Sequence, residues 1–403
     1  MNLGGVSAEE LAEEFGTPLY VYEEDIIREK CKLLSDAIAY NPKKLLFACK
    51  ANSSLAVLKV ILSENWGVDA VSPGEVFLAL EAGFPKEDIL FTGNNMSDSE
   101  MEWVHKKGVL LNIGSLSRLE KYGKAFPGSD VCVRVCPDVN PDVHPHLKTG
   151  GLDSKFGIWI GEAPKIREIA SKYDLKIVGI HAHIGTTIMD LVPFKETMNL
   201  VLSAAKEFSD LDFVDFGGGI GVQYKPGEPE VDIKEFGRFA TEKMEAFSKA
   251  YGKKVEYRIE PGRYSVCSAG VLLGKVNTIK KNPQKTFIGL DANMAHLVRP
   301  SMYGAYHHIE NASNMECQNG PLETVDVVGN ICETGDFFAK DRKVEHAEEG
   351  DIIAIENAGA YGFSMASNYN SFLKPAEVMV SGGKARLIRA RAPYEALLEG
   401  QIY

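Results

Sequence analysis

Short apolar runs alternate with longer amphipathic stretches along much of the chain, and from Lys44 the alternation becomes regular. The runs at 45–49, 67–71, 89–91, 109–113, 131–135, 177–180, 212–216 and 255–259 are short and nearly continuous in apolar residues, which predicts buried strands. Each ends in small or polar residues. Between them, 53–64, 74–82, 97–106, 115–121, 163–172, 193–208 and 233–251 predict helices. Eight strands alternating with helices over about 220 residues is the pattern of a parallel (β/α)8 barrel. A doubly wound open sheet is the competing arrangement. Ahead of the barrel, Ser7 caps a predicted helix over 7–15 with Glu10 three residues on. A strand over 17–22 and an amphipathic helix over 24–40 follow.

After Arg263 the texture changes. The segments 266–279, 285–290, 323–328, 351–355, 376–381 and 384–389 are β-branched runs separated by turns such as Ser381-Gly382-Gly383. No helices alternate with them, so this region predicts a mostly-β domain. The expected fold is α/β: a TIM-type barrel over 25–263, and a β domain over 264–403 that also takes in 1–24. The polar stretches 225–230 and 311–321 read as solvated loops rather than linkers.

Charge and cysteine usage narrow the function classes. A net charge of −12 over 403 residues argues against nucleic acid or an anionic membrane as partner. No apolar run approaches a membrane span, and residues 1–14 lack the basic and apolar regions of a signal peptide. The seven cysteines (31, 49, 132, 136, 267, 317 and 332) are scattered and odd in number, as expected for reduced thiols in a cytoplasm. Cys132 and Cys136, four apart, share a face of one predicted strand, and nothing nearby completes a zinc set.

In a barrel the chemistry sits at the C-terminal ends of the strands. Lys50, which follows the first run, has two readings: an ammonium snorkelling into water at a strand end, or a desolvated amine able to form a Schiff base. Gly217-Gly218-Gly219 follows the seventh run and lets backbone N–H groups approach an anion. Neither Gly-x-Gly-x-x-Gly nor Gly-x-x-x-x-Gly-Lys-[Ser/Thr] is present, so a single small phosphate fits better than a nucleotide. His181 and His183 are of metal-ligand type and share a strand face if extended. Each also reads as a packed core histidine, and His183 as a flat ring against a flat cofactor. Glu260, before a Pro-Gly turn, reads either as a surface carboxylate or as the partner of a pyridine nitrogen. Lysine, glycines and carboxylate are together the parts of a pyridoxal 5'-phosphate site, with no metal. In the β domain, Cys332 and Glu333 read either as part of a polar β-turn with a buried cysteine or as a proton donor beside an acid that holds a substrate amine. Glycines around Tyr361 suggest close backbone approach.

These residues carry a resemblance. Phe47-Ala48-Cys49-Lys50-Ala51-Asn52, Ser154-Lys155-Phe156-Gly157, His181-Ala182-His183-Ile184-Gly185, Gly217-Gly218-Gly219, Glu260-Pro261-Gly262-Arg263, Arg299-Pro300-Ser301-Met302-Tyr303, Cys332-Glu333-Thr334-Gly335-Asp336 and Gly359-Ala360-Tyr361-Gly362 stand in that order. The chain resembles the fold type III pyridoxal-phosphate decarboxylases, with their alanine racemase-like architecture, and most closely the diaminopimelate decarboxylases. The resemblance implies that Lys50 bonds the cofactor, His183 stacks on its ring and Glu260 pairs with its nitrogen. It implies that Gly219, Gly262, Arg263 and Tyr361 hold the phosphate side, supported by Asp69, Glu75 and Arg134. Arg263, Arg299, Tyr303 and Tyr361 would contact substrate. Cys332 and Glu333 would reach in from a second subunit, making a homodimer with shared sites. The implied reaction is decarboxylation of meso-2,6-diaminopimelate to L-lysine, the last step of lysine biosynthesis. The alternative is decarboxylation of ornithine, arginine or lysine.

Two departures carry little weight, because Thr186 and Thr334 keep the hydroxyl of the usual serine. A third touches specificity: Phe372-Leu373-Lys374 stands where an arginine is usual. A racemase would need a tyrosine base opposite the lysine, and the Cys-Glu motif argues against one. A catalytically dead relative would lack Lys50 or Cys332, and both are present. Gly150 and Gly151 would allow the loop 144–151 to move.

Overall fold

The computed structural model describes residues 1–139, 141–142, 149–313 and 322–402. Residues 144–148 of the glycine-ended loop, Cys317 and most of the polar stretch 311–321 lie outside the described residues. The chain divides into two compact units: Glu29–Val222 with Pro229–Ser265, and Met1–Arg28 with Gln223–Glu228 and Val266–Tyr403.

The first unit is a closed parallel barrel. Its eight strands are Lys43–Ala48, Gly67–Ala70, Ile89–Phe91, Leu110–Ile113, Asp130–Cys136, Lys176–His181, Phe213–Asp215 and Glu256–Ile259. Neighbours pair in parallel around the ring, and two pairings rule out the open sheet. Lys176–His181 pairs with Asp130–Cys136, and Glu256–Ile259 pairs with Lys43–Ala48. The interior is filled as such barrels require: Leu46, Leu90, Cys132 and Phe213, from the first, third, fifth and seventh strands, form one buried layer. Gly179 makes room for it, because a Cβ there would meet the Phe213 ring at 2.1 Å. Cys132 is therefore a packing residue. The helices start on side-chain caps. Ser72, Ser97, Ser115 and Asp232 each accept a backbone N–H of the first turn, and Ser97 with Glu100 completes a capping box.

The second unit is built on a sheet ordered Phe337–Glu345, Leu322–Val328, Thr286–Leu290, Gly270–Lys281, Leu19–Glu23, Ala376–Ser381 and Lys384–Arg389. The N-terminal strand Leu19–Glu23 is internal to it, antiparallel to Gly270–Lys281 and parallel to Ala376–Ser381. The helix Ala8–Phe15, started by the Ser7–Glu10 capping box, buries Leu11 in a core with Val21, Leu273, Ala354 and Val378.

Several boundaries differ from the sequence reading. The first barrel strand ends at Ala48, and Cys49–Ala51 is a single 3-10 turn, so Lys50 sits on that turn rather than on the strand. The helix expected to Tyr40 stops at Ala37. The strand expected from Val266 begins at Gly270, because Arg263–Val266 is one helical turn.

Candidate active site

The barrel's strand ends bring most of the predicted cofactor residues together. Lys50 Nζ donates to Asp69 Oδ2 at 2.6 Å. The Asp69 side chain, from the second strand, is 1% exposed, and that of Lys50 is 33% exposed. Glu75, in the first turn of the helix Pro73–Ala82, accepts the Val71 N–H at 2.8 Å. Burial pushes its carboxyl up to about 7 against the pull of that hydrogen bond and of Lys50. Arg134, on the fifth strand, is buried and lies 4.6 Å from the centroid of the Phe156 ring.

The glycine turn needs its glycines. Gly217 and Gly219 have φ of +65° and +114°, a region closed to most side chains. A Cβ on Gly218 would lie 2.2 Å from the Glu260 carbonyl oxygen, and one on Gly219 would lie 2.6 Å from that of Gly185. Glu260 N–H donates to the Gly217 carbonyl at 2.8 Å, and Ile188 N–H donates to that of Gly219 at 3.0 Å. The turn is thus held between its two neighbouring loops. Beside it, a Cβ on Gly262 would meet Ala48 Cβ at 2.9 Å, so Gly262 lets this turn approach the end of the lysine strand. Arg263 is buried and donates through Nε to the Thr186 hydroxyl at 3.2 Å. The Thr186 departure thus keeps the contact its hydroxyl makes.

His183 lies beyond the sixth strand, which ends at His181. Its Nδ1 accepts the Gly218 N–H at 3.1 Å, which assigns the ring proton to Nε2. Desolvation holds this ring well below the ordinary histidine range, and Arg134 and Lys50 push the same way, so it stays neutral.

Glu260, 3% exposed, is surrounded by charge: Asp69, Lys50, Arg134 and Asp215 all act on it. His181 Nε2 comes within 3.1 Å of Glu260 Oε2 without aligning for a hydrogen bond. His181, Asp215 and Glu260 place one ligand-type atom each within 4.8 Å of the others, and His183 is not part of that group. The expectation that His181 and His183 share a strand face fails because the chain leaves the strand between them. Asp215 is the functional candidate that sequence reasoning missed. It sits inside an apolar run two residues before the glycine turn, and its Oδ1 accepts the Gly217 N–H at 2.9 Å.

Arg299, Tyr303, Cys332, Glu333 and Tyr361 belong to the sheet unit. Arg299 opens the short helix Arg299–Tyr303. It is 5% exposed, and its Nε has no partner among the described residues. Ser301 Oγ donates to the Gly335 carbonyl at 2.7 Å, tying that helix to the Cys-Glu loop. Asp336 braces the loop by accepting the Ile331 and Met294 N–H groups, each at 2.7 Å. Cys332 is exposed, with Sγ 3.5 Å from Asn370 Oδ1, and Glu333 accepts the Tyr369 hydroxyl. Tyr361 has φ of +57°, an uncommon conformation for a non-glycine residue. The glycines around it are used by the chain's own packing. A Cβ on Gly359 would meet the Val266 carbonyl oxygen at 1.8 Å, and one on Gly362 that of Ala358 at 2.3 Å. Lys374, in the divergent segment, lies 6.0 Å from the Phe363 ring centroid.

Comparison with known proteins agrees with this geometry. The pyridoxal-binding domain of the pyridoxal-dependent decarboxylases matches residues 24–267. The diaminopimelate decarboxylase of Methanothermobacter thermautotrophicus is 44% identical over 99% of this chain and 95% of its own length. That of Aquifex aeolicus is 39% identical over 99% of this chain and 94% of its own. The structure of the Helicobacter pylori diaminopimelate decarboxylase, complexed with L-lysine, superposes with a TM-score of 0.90 at 34% identity, over 97% of this chain and 98% of that one. A Vibrio vulnificus lysine/ornithine decarboxylase structure shares the fold at a TM-score of 0.81 and 21% identity, over 94% of this chain and 99% of that one.

Proposed function

We propose a function on one premise: the chain belongs to the diaminopimelate decarboxylase family of pyridoxal-dependent decarboxylases. It is a carboxy-lyase that converts meso-2,6-diaminopimelate to L-lysine and CO2 with pyridoxal 5'-phosphate as cofactor. The observation that carries the reading is the set of Lys50, His183, Glu260 and the glycine turn at the strand ends of one barrel.

The donor set fits pyridoxal phosphate. Lys50 supplies the amine, the Gly217–Gly219 turn is open to a phosphate, and the buried Glu260 Oε1 has no partner among the described residues. When bound, the cofactor supplies an electron sink for the carbanion that CO2 leaves behind. Lys50 would hold it covalently, its amine oriented by Asp69 at 2.6 Å. His183, neutral and fixed by Gly218, offers a flat face to the ring. Glu260 would pair with the ring nitrogen, and Gly219, Gly262 and Arg263, with Tyr361, would hold the phosphate.

Arg299 and Tyr303 bind the substrate's distal carboxylate, a role that suits a buried guanidinium without a partner at Nε. Glu333 binds the distal amine, aligned by the Tyr369 hydroxyl. The Cys332 thiol would be the proton donor to the substrate carbon. In this reading Cys332 and Glu333 act in the site of a second copy, so the working form is a cytoplasmic homodimer. Among the described residues no helix is long and apolar enough to cross a membrane.

The test is release of CO2 and L-lysine from meso-diaminopimelate by the cofactor-loaded protein, run beside ornithine, arginine and lysine. Turnover of ornithine or lysine with none on diaminopimelate would replace the substrate assignment. A bound chromophore that borohydride fails to trap on Lys50 would refute the chemistry.

A further inference from the structure

Lys50, Glu260 and the glycine turn account for the cofactor's obvious needs, but two buried groups beside them are left over. Asp215 and His181 are both fully buried in the barrel. Asp215 Oδ1 accepts the Gly217 N–H at 2.9 Å. Its Oδ2, and Oε1 of Glu260, find no donor among the described residues, and the two side chains place carboxylate oxygens within 4.8 Å of each other. Two ionised carboxylates cannot hydrogen-bond each other, whereas one proton between them makes the contact favourable. Burial raises both groups above the ordinary carboxylate range; Glu260 adds to the rise at Asp215, and Asp69 adds to the rise at Glu260.

The surroundings decide where the proton resides. Glu260 faces Lys50 and Arg134, which favour its ionised form, together with Asp69 and His181. Asp215 faces Glu260, His181, Arg258, Cys132 and Tyr257. The one cation there, Arg258, is engaged with Glu256 at 2.6 Å. His181 is held down to about 4 by burial, so it is neutral where its Nε2 meets Glu260. The three residues have the chemistry of a metal site, but Lys50, Arg134 and Arg258 already bring positive charge to the cluster and oppose a further cation.

We propose that Asp215 and Glu260 share one proton, carried by Asp215. Asp215 and neutral His181 are then positioning residues that present Glu260 as a single carboxylate to the ring nitrogen of the cofactor. The inference rests on the assignment of Glu260 to that nitrogen.

Asp215→Asn is the deciding variant. Asparagine keeps an acceptor for the Gly217 N–H and a donor toward Glu260, so it copies the protonated acid. Affinity for pyridoxal phosphate, measured by equilibrium dialysis and by the visible absorbance of the bound cofactor, should stay within about threefold of the parent. Asp215→Val, of similar size and without a donor, should bind roughly ten- to a hundredfold more weakly, the loss of one hydrogen bond to a charged group. His181→Gln, which keeps an N–H, should be milder than His181→Phe. Asparagine as damaging as valine in a protein that melts like the parent would overturn the proposal, as would valine indistinguishable from the parent.

Infrared spectroscopy of the full chain decides the matter even where Asp215→Val fails to fold. At neutral pH the parent should show a protonated-carboxyl C=O band with a component that disappears in Asp215→Asn. No such component means no shared proton. A parent chain that binds no pyridoxal phosphate at all would instead refute the decarboxylase reading and leave the infrared result to judge the proton.

Discussion

In the proposed site, replacing Lys50 by methionine would remove the cofactor's covalent anchor, and it leaves Asp69 buried without its ammonium. At the observed 2.6 Å, and an effective dielectric of about 20, the gross attraction is roughly 6 kcal/mol. Desolvating the two charges offsets most of it. Deleting one partner of a fully buried pair costs about 3–5 kcal/mol. Here a third of the Lys50 side chain reaches solvent while Asp69 does not, which places the loss for Lys50→Met at about 2 kcal/mol. Asp69→Asn in the same chain removes the stranded charge, so the double variant should recover most of that loss.

Urea unfolding of the cofactor-free protein, followed by tryptophan fluorescence, is the assay. All three tryptophans, Trp66, Trp103 and Trp159, belong to the barrel unit, so the signal reports on the unit that holds the pair. A Lys50→Met barrel as stable as the parent, or a double variant no more stable than the single one, would show that the Lys50–Asp69 pair is not a buried electrostatic contact. Borohydride reduction of the cofactor-loaded protein runs in parallel and should trap the chromophore in the parent and in neither lysine variant.

Three further outcomes follow from the same geometry. Gly219→Ala forces a side chain into φ +114° and into the Gly185 carbonyl, so cofactor affinity should fall by at least about tenfold, read by dialysis. In the cofactor-free protein the buried histidines destabilise the fold increasingly as the pH falls from about 6.5 toward 4, while the raised Glu75 and Asp215 carboxyls act in the opposite direction. His181 and His296 are each held down to about 4 by burial, so below 6.5 the unfolded chain binds protons that the folded chain refuses. His296→Gln should flatten that arm, and denaturant midpoints across the range would show whether it does. Mixing inactive Lys50→Met with inactive Cys332→Ala should restore diaminopimelate turnover if each site draws on two copies, and should leave it absent if one copy supplies both residues.

The barrel was legible because its signal is local and repeated: each strand is a short apolar run, and each following helix has its own cap and period. Lys50, Glu260 and the glycines were legible for a related reason, as polar or flexible residues at the ends of those runs. The nine-residue strand Phe337–Glu345 was not. Lys340-Asp341-Arg342 breaks its apolar pattern, and it is held in the sheet by pairing with Leu322–Val328. Asp215 was missed for a different reason. Within its own segment it is one acid in an apolar strand. It gains meaning only when the seventh and eighth strands pair, Asp215 opposite Arg258, which brings the end of one strand beside Glu260 at the end of the next.

His181 and His183 show most clearly where pattern reading stops. Two residues apart, they share a face only while the chain stays extended. The strand ends at His181, and the change of direction gives two identical side chains different surroundings. His181 turns toward Glu260 and is sealed from water. His183 takes the Gly218 N–H on Nδ1 and keeps its Nε2 proton for another partner. Desolvation keeps both rings neutral, and neutrality suits both positions. In the proposed site, a cation at His181 would compete with a ring nitrogen for Glu260, and a cation at His183 would stack poorly on an electron-poor ring. The glycine turn would therefore serve the proposed site in two ways. Its open backbone leaves room for a phosphate, and its N–H groups fix the tautomer of His183 and the acceptor side of Asp215.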